Sequence, residues 1–215
     1  MAADLITFER LLDALNKVVT DMEPQEVRKY QAAIRSASTA VRAYTDRDFT
    51  VNTSSTAKPR IFEYDDSGYI DIDDCQKVTS VRITFPYGGL PQTLTTDQWT
   101  LMPYGGEIKD NLIIYSPLAY GMSREMGFTW NLDTYDGPYG GAPPYVEVTG
   151  VWGWEEIPED VQQATVWTAA AFSEDARQVT SESIEGFSRS MNVLAPTALP
   201  LRARDLLDQY RKVVV

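Results

Sequence analysis

The sequence predicts an α+β protein: a small, discontinuous bundle of about four helices that carries an inserted antiparallel β domain. Apolar residues recur every three to four positions over residues 24–44 and again after residue 158, as on one face of an α-helix. Between these segments the spacing shortens to two, and glycine and proline become frequent, as in short antiparallel strands. We therefore predict a helical domain from residues 1–45 with 156–215, and a β domain over residues 46–155.

Two helices are expected before the β domain. Pro24 can open the second of them, because the N–H that proline lacks would have no partner in a first helical turn. The apolar stripe of this helix comprises Val27, Tyr30, Ile34, Ala37, Val41 and Tyr44. The same spacing occurs upstream and predicts the first helix, with a stripe of Phe8, Leu11, Leu15, Val18 and Met22.

The middle of the chain is predicted to be an antiparallel β domain. Its expected strands are RIFEY, YIDID, VTSVRITF, QWTLM, NLIIY and YVEVTGVW. YDDSGY, between the first two of these, has the composition of a hairpin turn and predicts that they pair with each other.

The stretch VTGVWGWEEIPEDVQQATVW, residues 148–167, changes from strand-like to helix-like near Ile157. Pro158 suits a first helical residue, and Glu159 and Asp160 place carboxylates at the positive end of the helix dipole. In ATVWTAAAF, residues 164–172, seven of nine positions are apolar. We expect this helix to be buried on more than one face, partly by a neighbouring subunit, so that Trp167→Asp costs several kcal/mol by burying an unpaired charge.

The C-terminal region is predicted to contain a loop or hairpin and one more helix. The serine-rich stretch SEDARQVTSESIEGFSRSMN precedes LPLRARDLLDQYRKVVV, in which Pro200 starts the helix. One side of that helix is marked by Ala203, Leu206, Leu207 and Tyr210.

Composition excludes several classes of function. At 215 residues with 43% apolar residues the chain can bury a core, and no apolar run is long enough to span a membrane. The N-terminus does not resemble a signal peptide. Without histidine there is no Ser-His-Asp or Cys-His nucleophile and no common zinc site, and the single cysteine, Cys75, cannot form an intramolecular disulfide. We predict no enzyme activity, no metal and no cofactor.

Charge is distributed unevenly. Of the formal net charge of −12, residues 46–155 hold −9, from 16 acidic and 7 basic side chains. Residues 186–215 are locally basic, with five basic and two acidic side chains. A protein this acidic cannot hold phosphate backbones by counterion release, so DNA near it should be repelled.

The candidate chemical groups have simpler interpretations. Asp71 and Asp73 share one strand face opposite Ile70 and Ile72, which indicates a solvated outer face, although the cluster with Asp65, Asp66 and Asp74 could also be a calcium or glycosidase site. Cys75, in these acidic surroundings, is expected to be structural. Trp152 and Trp154 are predicted to be at least partly buried at the joint between the two domains, or alternatively to stack on sugars or bases.

Four stretches together resemble the head-tail connector proteins of tailed bacteriophages, also called adaptor or head-completion proteins. ASTAVRAYTDRDF (37–49) resembles that family's second helix and its exit, and VTGVWGWEEIPEDVQQATVWTAAAF (148–172) its strand-to-helix return. SESIEGFSRS (181–190) resembles its serine-rich loop, and LPLRARDLLDQYRK (199–212) its closing helix. Most of residues 50–145 has no counterpart in this resemblance.

The resemblance implies a non-catalytic virion protein of the phage neck, made in the host cytoplasm. Such a protein assembles into a ring, typically of twelve subunits, beneath the portal protein and extends the DNA channel toward the tail. Its partners would be further copies of itself, the portal and a tail-completion or stopper protein, with no membrane contact and DNA passing through unbound. The alternatives are a carbohydrate-binding or hydrolytic β module with aspartates and tryptophans as its site, and a different neck or tail-completion protein.

The predicted contacts of such a ring lie in the last two helices and the C-terminus. Val213–Val215 are β-branched and follow two cations, Arg211 and Lys212, so they could add as a strand to the portal or an adjacent subunit, or be a disordered tail. Deleting residues 211–215 is expected to leave the melting temperature nearly unchanged. The candidate subunit or portal interface comprises Val161, Trp167, Phe172, Leu206, Tyr210, Val213, Val214 and Val215.

Overall fold

The computed structural model describes residues 3–64, 68–84, 91–115, 145–173, 182–184, 187–189 and 199–212. Within them the chain forms four α-helices and a six-stranded antiparallel sheet, which confirms the predicted α+β class. The chain divides into two compact units. The helical unit contains Met1–Thr50 and Ile157–Val213, and the β unit contains Val51–Glu156.

The elements follow in chain order. The N-terminal helices are α1 (Phe8–Leu15), a 3-10 turn (Val19–Asp21) and α2 (Pro24–Thr45). The sheet strands are β1 (Lys58–Glu63), β2 (Tyr69–Thr84), β3 (Gln92–Thr93), β4 (Trp99–Met102), β5 (Lys109–Ile114) and β6 (Tyr145–Trp152). The rest comprises α3 (Glu159–Ser173), a hairpin of β7 (Glu182–Ile184) and β8 (Phe187–Arg189), α4 (Leu201–Leu207) and a 3-10 turn (Asp208–Tyr210).

Helix α1 is shorter than its apolar stripe predicts. Asn16 adopts the left-handed conformation, with φ 52°, and its N–H donates to the carbonyl of Asp13 at 3.1 Å. The Lys17 N–H donates to the carbonyl of Leu12 at 3.0 Å, which closes the last turn. Val18 therefore lies outside the helix and is 61% exposed. The prediction that one helix continues to Met22 is wrong, because the cap at Asn16 overrides the periodicity.

Helix α2 begins at Pro24, as predicted, and buries the predicted stripe at Tyr30, Ile34, Ala37 and Val41. Helix α3 packs against α1, α2 and α4. The helical unit is thus a bundle around α3, and its core includes Ile6, Leu11, Leu12, Tyr30, Ile34, Ala37, Val166 and Ala169. Most of the apolar surface of α3 is buried by helices of the same chain, so the inference that a neighbouring subunit is needed to cover it does not follow.

The sheet has the strand order β1-β6-β2-β5-β4, with β3 also paired to β2. Two predictions are corrected here. YIDID and VTSVRITF are not separate strands but one 16-residue strand, β2. Strand β1 pairs with β6 rather than with β2, so the hairpin predicted at YDDSGY does not form a strand pair.

Strand β2 stays paired over its length because its register shifts. Shifts occur against β5 between Asp71 and Cys75, and against β6 between Cys75 and Lys77 and between Val78 and Ser80. Such bulges change which alternate residues face the core. Accordingly the even-numbered Ile70 and Ile72 are buried at one end of the strand. The odd-numbered Val81 and Ile83 are buried at the other.

Candidate functional site

Helix α3 is largely buried, and its partly exposed residues include three that lie along one line of the helix. Gln163, Trp167 and Ala171 follow one another at intervals of four and are partly exposed. Val161 has no exposed surface and belongs to the core of the helical unit. Of the residues predicted on this helix, Trp167 is thus available for an interface and Val161 is not.

Trp167 is covered on one side by an arginine of α4. The guanidinium carbon of Arg202 lies 5.0 Å from the centre of the Trp167 ring system, a cation–π contact. Beside Arg202 in the sequence, Leu201 is 74% exposed. Leu206, one turn further along α4 than Arg202, is partly exposed. These side chains are referred to below as the α3–α4 patch, which comprises Trp167, Leu201, Arg202 and Leu206.

The environment of Trp167 changes the expectation for Trp167→Asp. The ring is partly exposed, and a carboxylate at this position would have the Arg202 guanidinium nearby. The introduced charge would not be fully buried, so the part of the folding cost that comes from charge burial is smaller than expected from the sequence.

The other two candidate aromatic residues make contacts within their own unit. Phe172 is partly buried against the core shared by α1, α2 and α3. Tyr210 packs edge-on against Phe49, with 6.3 Å between ring centres, and its carbonyl accepts a 2.6 Å hydrogen bond from the Arg47 Nε. Both residues therefore stabilise the helical unit, with part of each side chain exposed.

The C-terminal segment is fastened to the end of α2 by residues 208–212, which are referred to below as the C-terminal latch. The Lys212 N–H donates to the carbonyl of Thr45 at 2.9 Å. The Tyr44 hydroxyl donates to the Asp208 carboxylate at 2.5 Å, and this bond raises the pKa of Tyr44. The Arg211 guanidinium lies over the Tyr44 ring, 5.3 Å from its centre.

The latch corrects the expectation for the deletion of residues 211–215. Removing them would remove the backbone bond of Lys212 and the ring contact of Arg211, so the deletion should lower the stability of the helical unit. Val213, Val214 and Val215 lie outside the described residues, and their docking stays a prediction.

The two tryptophans at the end of β6 are buried, at 5% and 9% exposure, as expected. Trp152 Nε1 donates to the carbonyl of Lys58 at 2.7 Å, and its ring stacks on Phe62 at 5.6 Å between centres. Trp154 Nε1 donates to the Asp74 carboxylate at 2.6 Å. These contacts lie within the β unit, and neither ring presents an open face for a sugar or base. The role of the pair at a domain joint stays a prediction.

The aspartates of β2 have the arrangement of a solvated strand face. Asp71 and Asp73 are exposed, and Asp73 forms an ion pair with Arg60, which also stacks on Trp152. Asp65 and Asp66 lie outside the described residues. Among the residues that the structure describes, no group of acidic or cysteine side chains could hold a metal ion.

Cys75 is a structural residue. Its side chain is fully buried, and burial is the main cause that raises the pKa of its thiol to about 11. The sulfur lies 3.3 Å from the carbonyl oxygens of Lys77 and Val151, to which the thiol can donate. Desolvation raises the pKa of the thiol more than the nearby carboxylates, to which the sequence pointed.

The sequence did not indicate that Leu201 and Arg202 belong to the α3–α4 patch or that Tyr44 contacts the C-terminal latch. The i, i+4 relation of Arg202 to Leu206 would have placed both on one face of α4. The pairing of Arg202 with Trp167 had no local signal, because the two residues are 35 positions apart. The same is true of Tyr44 and Asp208, which meet only because α2 and the C-terminal latch are neighbours.

In the described part of the chain, no helix is both long and apolar enough to cross a membrane. No protein-family model matches the sequence, and no curated protein matches it.

Three similar solved structures are of gene transfer agent (GTA) particles. The first, the virion of the native particle, is 16% identical over 98% of this chain and 91% of the matched chain, with a TM-score of 0.42. The neck of the empty particle, computed with C6 symmetry, gives the same identity and coverage with a TM-score of 0.40. The neck of the native particle, computed with C12 symmetry, gives 16% identity over 100% and 97% of the two chains and a TM-score of 0.36.

Proposed function

We propose that this protein is a head-tail connector of a phage-like particle. In this role it forms a homo-oligomeric ring, expected to have twelve subunits, under the portal, and extends the DNA channel toward the tail. Its partners are the portal on one side and a tail-completion or stopper protein on the other. DNA passes through the ring without specific binding.

The observation that carries the proposal is the location of the connector-like stretches in the helical unit. Residues 37–49 form the second half of α2 and its exit, and residues 199–212 form α4 and the latch. Of residues 148–172, the part from residue 157 leads into and forms α3, whereas residues 148–156 belong to the β unit. Segments far apart in sequence thus pack around one central helix, which supports the helical connector domain proposed from the family resemblance. The remaining surface of that helix carries the partly exposed Trp167.

The charge of the chain supports a role as a channel. A net charge of −12 repels phosphate, so DNA can slide past an acidic wall without being held. We further propose that the helical unit is the connector domain proper and that the β unit is an insertion in it.

The alternative of a carbohydrate-binding or hydrolytic module loses the residues on which it depended. Trp152 and Trp154 are buried within the sheet, and Asp73 is paired with Arg60. A glycan array with the purified protein would test it directly. Binding that Asp71→Asn with Asp73→Asn abolishes would favour the alternative over the connector.

The proposal is tested on particles assembled without this protein. Portal-containing heads made in its absence should package DNA but lose it and fail to join tails, and added purified protein should restore both properties. Electron microscopy of the restored particles should show a ring of density below the portal. Tailed, DNA-retaining particles made without the protein would refute a connector role.

A further inference from the structure

Of the described arginines of the helical unit whose contacts are resolved, Arg202 and Arg211 lie over an aromatic ring, and the others bind a carboxylate or a carbonyl. Arg10 pairs with Glu159, and Arg42 and Arg47 donate to backbone carbonyls. Arg202 is exposed and stacks on Trp167, and no described residue accepts a hydrogen bond from its guanidinium group. The ring restricts the orientation of this exposed guanidinium group, whose planar set of N–H donors suits a carboxylate.

The neighbours of Arg202 give the patch the composition of a binding hot spot. Tryptophan and arginine are the residue types most enriched where truncation weakens protein interfaces. Leu201, 74% exposed, adds the most exposed large apolar side chain among the described residues. A cation held on an aromatic ring and flanked by an aliphatic side chain is suited to a partner surface that offers both a carboxylate and an apolar contact.

We propose, on the basis of the connector function proposed above, that the α3–α4 patch is the subunit contact of the ring and that Arg202 receives a carboxylate from the next copy of this chain. The chain itself favours this occupant. It has 31 acidic against 19 basic side chains, so a second copy carries an excess of carboxylates with which the guanidinium group can pair.

The sign of the charge also selects the geometry of the contact. A two-fold symmetric contact centred on Arg202 would place two guanidinium groups close together, and the two cations would repel each other. In a head-to-tail contact the patch meets a different surface of the next copy, which in this chain is predominantly acidic. A head-to-tail contact closes into a ring when its rotation allows.

The experiment compares Arg202→Glu, Leu201→Ser and the control Arg35→Glu with the wild-type protein. Arg35 is also an exposed arginine of the helical unit, and its Nε donates only to the carbonyl of Gln31 in its own helix. The control therefore makes the same change of charge outside the patch. Melting temperature and circular dichroism check the fold of each variant, and ring formation is measured with purified portal by sedimentation velocity and electron microscopy.

Arg202→Glu is expected to raise the protein concentration needed for half-maximal ring formation about thirtyfold or more, the loss typical of a hot-spot residue. Leu201→Ser should raise this concentration less. Arg35→Glu should form rings like the wild type. Rings from folded Arg202→Glu and Leu201→Ser at the wild-type protein concentration would overturn the inference while leaving the connector function standing. An equal loss in Arg35→Glu would also overturn it, since overall charge would then be the cause. If the wild-type protein forms no ring on the portal, both proposals fail.

Discussion

Gly150→Ala tests whether β6 approaches the bulged part of β2 as closely as the structure indicates. A Cβ atom at this position would lie 2.8 Å from the Lys77 carbonyl oxygen and 2.9 Å from the Cys75 sulfur, closer than such atoms approach in proteins. Its third neighbour, the Cα of Val78, lies at 3.5 Å, an ordinary contact. The backbone of β6 is paired to β1 on its other side, so it cannot move away without disturbing that pairing.

The expected cost follows from two opposing effects. Overpacking a well-packed core costs about 1–3 kcal/mol. Replacing a strand glycine by alanine returns about 0.5–1 kcal/mol of conformational entropy. Because one clash is with backbone, we expect the first effect to lie in its upper range and Gly150→Ala to lower the free energy of unfolding by about 1–2 kcal/mol.

Urea unfolding of the β unit, followed by circular dichroism and tryptophan fluorescence, measures this difference. Gly105→Ala is the matched control, because a Cβ there meets nothing within 4 Å and the change should be neutral or slightly stabilising. In a Cys75→Ala background the cost of Gly150→Ala should fall by about 0.5 kcal/mol or more, since one of the two close contacts is removed. Equal stabilities of the Gly150→Ala and Gly105→Ala proteins would refute the close approach.

Three further predictions concern pH, thiol reactivity and the C-terminus. Hydrogen bonding to Lys17 lowers the pKa of Glu26, so this carboxylate stabilises the fold above its ordinary pKa of 4.5 and loses its effect as the pH falls through the lowered value. The stability difference between wild type and Lys17→Met should therefore be constant near neutral pH and shrink in acid, and a pH-independent difference would contradict it. Cys75 should not react with a thiol reagent at pH 8 until the protein is unfolded in urea, because burial keeps the thiol protonated. Rapid labelling of the native protein would contradict this prediction. Deleting residues 213–215 should leave the melting temperature unchanged. Deleting residues 211–215 should lower the free energy of unfolding by about 1–2 kcal/mol, because a hydrogen bond and a ring contact are lost. Equal melting temperatures of the two deletion variants would show that the latch is not formed.

The sequence predicted the elements whose apolar pattern is local and long. The 3.6-residue period of α2, the proline at its start and the carboxylates at the start of α3 were sufficient for both helices. Four predicted strands also correspond closely to observed ones. These features depend on neighbours within a few residues, which a single sequence displays.

The failures have a common physical cause, which is that a local pattern was outweighed by geometry or by distant contacts. A single left-handed residue, Asn16, ends α1 although the apolar spacing continues. Three register shifts allow β2 to remain one strand although its alternation changes phase, and in the sequence this change resembles a break between two strands. The pairing of β1 with β6 joins segments more than 80 residues apart, so no local turn signal in the sequence could predict it.

The distribution of basic side chains explains how so acidic a chain can still present a specific contact. In the parts of the β unit that the structure describes, Arg60 and Arg82 pair with carboxylates, and in the helical unit Lys17 does the same. Each such pair neutralises one cation and one carboxylate, so the excess negative charge of the chain remains. An arginine that stacks on a ring instead keeps its charge available to another molecule. Two copies of this acidic chain repel each other on average, whereas Arg202 attracts a carboxylate of the next copy. Added salt screens both interactions, so it should weaken the contact at Arg202 and also reduce the repulsion between copies. Ring formation by the wild type should therefore be strongest at intermediate ionic strength, whereas Arg202→Glu, which lacks the attraction, should only improve as salt is added.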